Sequence, residues 1–134
     1  MNKNKEEQYA PLRIIDANLN RLREGIRVIE DICRYFFNSE SFSKRLKHLR
    51  HESRIDDHKS LISSRDILND PSKQTTPSEQ NRADIETILI SNFKRVQESS
   101  RVLEEVLKLT NPAEAEKFKQ IRYELYNLEK EILL

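Results

Sequence analysis

Apolar residues return with helical spacing over most of the chain. Between Pro11 and Phe37, at about 100° per residue, Ile15, Leu19, Leu22, Ile26, Ile29, Cys33 and Phe36 fall on one face, so the pattern predicts a long amphipathic helix. Asn38 and Ser39 interrupt it, and Phe42, Leu46 and Leu49 open a second stripe that runs toward Ile55. These two helices are expected to fold back on each other as an antiparallel hairpin. Thr76-Pro77-Ser78-Glu79 reads as a helix start, with Thr as cap, Pro at the first helical position and Glu completing a capping box. A third stripe then passes through Ile85, Ile88, Leu89, Phe93, Val96, Ser100, Leu103 and Leu107. Asn111-Pro112-Ala113-Glu114 repeats the capping logic, and Phe118, Ile121, Leu125, Leu128 and Ile132 mark a fourth helix. Between the hairpins, Asp57 to Thr75 is polar, with only Leu61-Ile62 and Ile67-Leu68 as apolar pieces. It reads as a long connection with one helical turn, of a length used by lids and binding loops as well as by plain flexible linkers.

The two hairpins resemble each other. Asn18 to Asp31 aligns without gaps on Asn92 to Glu105, with Asn, Arg, Glu, Arg, Val and Glu recurring at matching places. Leu46 to Glu52 corresponds in the same way to Phe118 to Glu124. The expected fold is therefore all-α, a four-helix bundle of two duplicated hairpins related by a pseudo-two-fold axis. We expect one domain over 1–134, divided into a flexible tail (1–10), a first hairpin (11–58), a connecting loop (59–76) and a second hairpin (77–134).

Composition narrows the function. The 134 residues carry 24 Lys plus Arg against 23 Asp plus Glu, so no general field attracts nucleic acid or anionic lipid, and any positive site must be local. No run approaches a membrane span, and Met1 to Gln8 is polar rather than signal-like. Cys33 is the only cysteine, which fits a small core residue in a reducing cytoplasm. Gly25 is the only glycine, which excludes a P-loop and a Gly-rich kinase loop. Its place in mid-helix costs about 1 kcal/mol relative to Ala, so either close helix packing or ligand access must require it.

Side chains and helix ends would thus have to handle any phosphate. Arg50 with His51, Arg65 beside Asp66, Arg82, and Arg122 with Tyr123 are the candidates, because guanidinium matches phosphate oxygens bidentately. The capped start at Thr76 adds free backbone N–H groups. Asn18 and Asn92, with Arg21 and Arg95 close by, lie at the edge of the apolar arc, where a buried amide needs a neighbouring helix or a ligand as partner. Magnesium would take hard carboxylates from Asp16, Glu24, Asp66, Glu79 or Glu98, and spacing selects none of them. His48, His51 and His58 form no metal-ligand pattern with Cys33. Glu24, Arg27, Glu98 and Arg101 read as exposed ion pairs or as a second buried surface.

These segments together point to a family. Arg13 to Arg21, Leu46 to His51, Arg65-Asp66, Thr76 to Glu79, Asn92 to Glu105 and Ile121 to Lys130 resemble the small hydroxymethylpyrimidine phosphate kinases of thiamine biosynthesis, in order over nearly the whole chain. Members of that family stand alone or are fused to thiamine-phosphate synthase. The resemblance implies transfer of the γ-phosphoryl group of ATP, with Mg2+, to 4-amino-5-hydroxymethyl-2-methylpyrimidine phosphate, with the free alcohol a poor substrate. It implies Arg50, Arg65, Arg82 and Arg122 at phosphates, Asn18 and Asn92 at the pyrimidine or the bundle centre, and Asp66 or Glu98 at magnesium. Arg65, Asp66 and Glu98 are the expected catalytic set; Asn18, Arg21, Arg50, His51, Thr76, Arg82, Asn92, Arg95, Arg122 and Tyr123 are the expected binding set. The chain departs from the family where Asn69 to Gln74 replaces a Gly-containing stretch, and where Ser99-Ser100 replaces the usual wording before Arg101. The competing reading is a non-catalytic helical module that docks on thiamine-phosphate synthase. Nucleic-acid binding is disfavoured by the even charge, and long amphipathic helices are compatible with a homodimer.

Overall fold

The computed structural model describes residues 3–75 and 84–134, with side chains from Ala10 onward. The described residues form five α-helices and no strand: α1 (Lys3–Asp31), α2 (Glu40–Glu52), α3 (His58–Ser63), α4 (Ile85–Leu107) and α5 (Pro112–Leu133). Helix α1 starts at Lys3, well before the expected Pro11, and carries Pro11 inside it. The capping box at Thr76 to Glu79 lies outside the described residues, as does Arg82. It is not the start of α4. Asp84 is extended, and its side chain accepts from the Thr87 backbone N–H at 2.7 Å, so this Asp is the N-cap.

Helix α1 passes into one π-helical turn, Ile32–Phe36, in which the Phe37 N–H donates to the Ile32 carbonyl at 3.0 Å. The wider turn changes the phase of the stripe. Cys33 is fully buried as expected, whereas Phe36, expected on the same face, is 61% exposed beside exposed Tyr35 and Phe37. Burial also pushes the Cys33 thiol up to about 11, far from the thiolate form that reacts. Asn38 then takes a left-handed conformation, φ 54°, that Asn tolerates better than most residues. Ser39 caps α2 by accepting from the Phe42 N–H. Asn111 caps α5 in the same way through the Glu114 N–H, as its sequence predicts.

The remaining stripes pack as one core, with Leu22, Ile26, Ile29, Leu46, Phe93, Val96, Leu103, Phe118, Leu125 and Leu128 fully buried. Helices α1 and α4 form its centre, and α2 and α5 each pack on the long helix of their own hairpin. The two central helices run antiparallel: Gly25 lies against Val96, while Asn18 and Arg21 share a hollow with Ser99 and Val102. A Cβ on Gly25 would stand 2.4 Å from Val96 Cγ1, so the missing side chain serves close packing rather than ligand access.

The duplication is repeated in the polar contacts. Arg50 donates from Nε and Nη2 to the buried carboxylate of Glu30, at 2.8 and 3.4 Å. Arg122 donates from Nη2 to buried Glu104 at 3.0 Å, at the matching place in the second hairpin. Arg27 and Arg101 flank these glutamates in equivalent ways. The Asn18 amide donates to the Ile14 carbonyl and that of Asn92 to the Ile88 carbonyl, both one turn back. The expected partner on a neighbouring helix is thus replaced by the helix's own backbone.

Two consequences are measurable. Gly25→Ala lowers stability by about 1–3 kcal/mol despite its better helix propensity, because the stiff, buried Val96 cannot move aside; Val96→Ala in the same chain removes part of the penalty in a denaturant double-mutant cycle. Arg50→Ala leaves Glu30 buried without its partner and lowers stability by about 3 kcal/mol, read as a drop in the urea midpoint.

Candidate functional site

The connection after α2 folds onto the N-terminal half of α1. Arg65 donates from Nε and Nη2 to the two oxygens of buried Asp16, at 2.6 and 3.0 Å, and Arg13 Nη2 donates to the Asp66 carbonyl at 2.8 Å. The turn that follows is tied locally. Both oxygens of Asp66 accept from Asn69, and Asp70 accepts from the Ser72 N–H. The side-chain and backbone bonds from Asn69 hold the Asp66 carboxyl below its ordinary pKa.

This docking leaves two adjoining hollows between α1, α4 and the connection. One, of about 740 Å³, is lined by Arg13, Asp16, Asn18, Arg21, Arg65 and Asp66 among others. The second, of about 580 Å³, is lined by Arg21, Asp70, Lys73, Arg95, Glu98 and Ser99 among others. They meet at Asn18, Arg21, Asp70 and Val102. Each by itself has the size of a small-molecule site. Among the described residues Arg21, Arg95 and Lys73 enter no ion pair. They share the second hollow with Asp70 and Glu98, so that positive side chains outnumber negative ones there.

Of the expected residues, Asn18, Arg21, Arg65, Asp66, Arg95 and Glu98 come together here. Arg65 is paired with Asp16, a contact that ties the connection to α1. Arg50 and Arg122 stand elsewhere, as the buried ion pairs of their hairpins. His51 lies in a separate hollow with His48, Glu52 and Lys117, and Arg50, Lys47 and Arg54 add to its desolvation in lowering its pKa. Exposed Tyr123 packs against Arg122 and Tyr126, and Asn92 bonds its own helix. Thr76 and Arg82 lie outside the described residues. The sequence reading missed Arg13, Asp70 and Lys73. Arg13 opens the stretch that carries the resemblance, while Asp70 and Lys73 sit where the chain departs from its family and had no signal of their own.

Among the described residues no group of three or more His, Cys, Asp or Glu could hold a metal ion by itself. A magnesium ion carried on phosphates needs only one or two protein carboxylates. The cleft offers Asp66, Asp70 and Glu98, so its donor set fits such an ion. No helix among the described residues is long and apolar enough to cross a membrane.

Comparison with known proteins adds a family. Thiamine-phosphate synthases of Nostoc sp., Nostoc punctiforme and a Synechocystis species are 41%, 42% and 40% identical to this chain, over 96%, 94% and 90% of its length. The matched regions make up 37%, 36% and 36% of those proteins, so the chain spans little more than a third of the curated relatives it matches. No solved structure matches it. The model of the ThiD2 family matches residues 13–131, which include every described wall of the cleft from Arg13 to Val102, and the chain belongs to that family.

Proposed function

We propose that the chain acts in thiamine biosynthesis, and that its cleft transfers the terminal phosphoryl group of ATP to 4-amino-5-hydroxymethyl-2-methylpyrimidine phosphate, giving the diphosphate. The observation that carries this reading is the cluster of Arg21, Lys73 and Arg95 around adjoining hollows, with no ion pair among the described residues to neutralise them. The relatives named thiamine-phosphate synthase and the ThiD2 match support the pathway.

The reaction asks for charge neutralisation and alignment more than for a base. A phosphate monoester has a second pKa of about 6, so the acceptor oxygen is already anionic near neutral pH. Its lone pair forms the new bond to the γ-phosphorus, while the bond from that phosphorus to the β–γ bridging oxygen breaks and ADP leaves with the electron pair. Arg21, Arg95 and Lys73 lower the repulsion between the two anions and orient them. Glu98, with Asp66 or Asp70, would hold magnesium, which supplies further neutralisation when bound. Arg65 is a positioning residue that acts through Asp16. Arginines left without the acceptor's phosphate explain why the free alcohol is a poor substrate. The use of ATP carries a cytoplasmic setting with it.

A second reading is favoured by the names of the relatives: a non-catalytic helical module that associates with thiamine-phosphate synthase. The exposed run Tyr35, Phe36 and Phe37 offers such a module an apolar docking surface.

One assay separates the two. Incubation with ATP, Mg2+ and the pyrimidine phosphate is expected to give ADP and diphosphate by 31P NMR. Arg21→Ala and Arg95→Ala are expected to lower kcat/KM by about 10²-fold with unchanged melting temperature. Folded protein that makes no diphosphate would sink the kinase reading. The module reading expects a stable complex with a thiamine-phosphate synthase in sedimentation velocity, indifferent to ATP and lost in a Tyr35→Ser, Phe36→Ser variant.

A further inference from the structure

The two hairpins share an Arg–Glu pair but differ in how completely it is satisfied. In the first, Arg50 places both Nε and Nη2 on Glu30. In the second, Arg122 gives Nη2 to Glu104 and lies 5.9 Å from the centre of the Tyr126 ring, while its buried Nε has no partner. On α4, two turns before Glu104, the amide nitrogen of Gln97 is also buried and unpartnered. Both residues are buried, at 9% and 8% exposed. Leaving a buried donor unsatisfied is unfavourable, and this hairpin carries two of them.

The two residues that carry these donors line one cleft, of about 600 Å³, between α4 and α5, together with Lys94, Glu98, Arg101 and Tyr126. Arg101 is occupied by Glu104 and Glu105, whereas Lys94 has no ion pair among the described residues. Tyr126 is 43% exposed and sits edge-on to exposed Tyr123. The first hairpin places Arg54 and His51 where the second has these two tyrosines, and Arg23 where the second has Gln97. The combination of orphan donors, an unmatched cation and an aromatic face is thus confined to one half, and inherited symmetry does not account for it. Glu98 lines this cleft and the one beside α1 alike, so the two are neighbours across α4.

We propose that the α4–α5 cleft binds a nucleoside polyphosphate, its base against Tyr126 and its phosphates beside Lys94 and the Gln97 amide. A planar base satisfies the aromatic wall, and phosphate oxygens are the acceptors that Gln97 and Lys94 lack. The choice of a nucleotide over other aromatic anions rests on the phosphotransfer reading above. That reading needs a second anion close to the pyrimidine phosphate, and the shared Glu98 puts this cleft next to it.

The test uses the full chain and Mg-ATP, followed by isothermal titration calorimetry. Tyr126→Leu and Lys94→Ala each are expected to weaken ATP binding at least about tenfold, the scale of a lost base–aromatic contact, with unchanged melting temperature. Arg23→Ala, at the equivalent place in the other hairpin, is expected to leave it unchanged. Tripolyphosphate is expected to compete weakly, and to lose affinity in Lys94→Ala but not in Tyr126→Leu. Absence of ATP binding, or binding insensitive to both variants, overturns the assignment. If diphosphate still forms while both variants bind ATP normally, the kinase reading survives and this site does not. If ATP binds here but no diphosphate forms, the site survives and the kinase reading fails.

Discussion

The architecture depends on how closely α1 and α4 approach. Gly25 lets the Val96 side chain lie where a Cβ would otherwise be, and no other residue type allows that separation without displacing a buried, β-branched neighbour. The approach brings Asn18 and Arg21 to the same hollow as Arg95, Glu98 and Ser99. Opening the helices would part these groups from one another. A residue that touches no candidate ligand therefore determines the width of the candidate site.

The buried Arg–Glu pair of each hairpin ties its two helices to each other. Arg45 and Lys117, at equivalent places in the repeat, then cross between hairpins: Arg45 reaches Glu124 and Glu131 on α5, and Lys117 donates to the Arg54 carbonyl just beyond α2. Buried pairs of this kind add little net stability over an apolar core, but they penalise a misplaced partner heavily. Their use here is to fix which faces of related helices meet, a problem that a duplicated sequence creates for itself.

Most of the fold was legible because it rests on periodicity. The stripes on α1, α4 and α5 are the observed core, and the gapless match of Asn18 to Asp31 on Asn92 to Glu105 predicted contacts that recur in the structure. Phe36 was misread because one π turn shifts the phase, and hydrophobic spacing does not report hydrogen-bond register. The start of α4 was misread because two capping signals compete within ten residues, and only backbone conformation shows that Asp84 caps the helix. The site was legible in part. Asn18, Arg21 and Arg95 stand out by repetition, but repetition also marked Arg50 and Arg122, whose recurrence has a structural cause. Nothing in a linear pattern tells an arginine that faces a ligand from one that faces a glutamate across the hairpin.

A body made of two like halves has two like grooves along its central pair, yet the chain crosses from one half to the other once. The strand of polypeptide that Arg13 and Arg65 tack down therefore roofs a single groove, with Asp66, Asp70 and Lys73 in its ceiling. Duplication supplied symmetry, and the lone crossing segment broke it, so that the described cleft takes two of its walls from the repeated helices and its third from a stretch of chain that belongs to neither repeat.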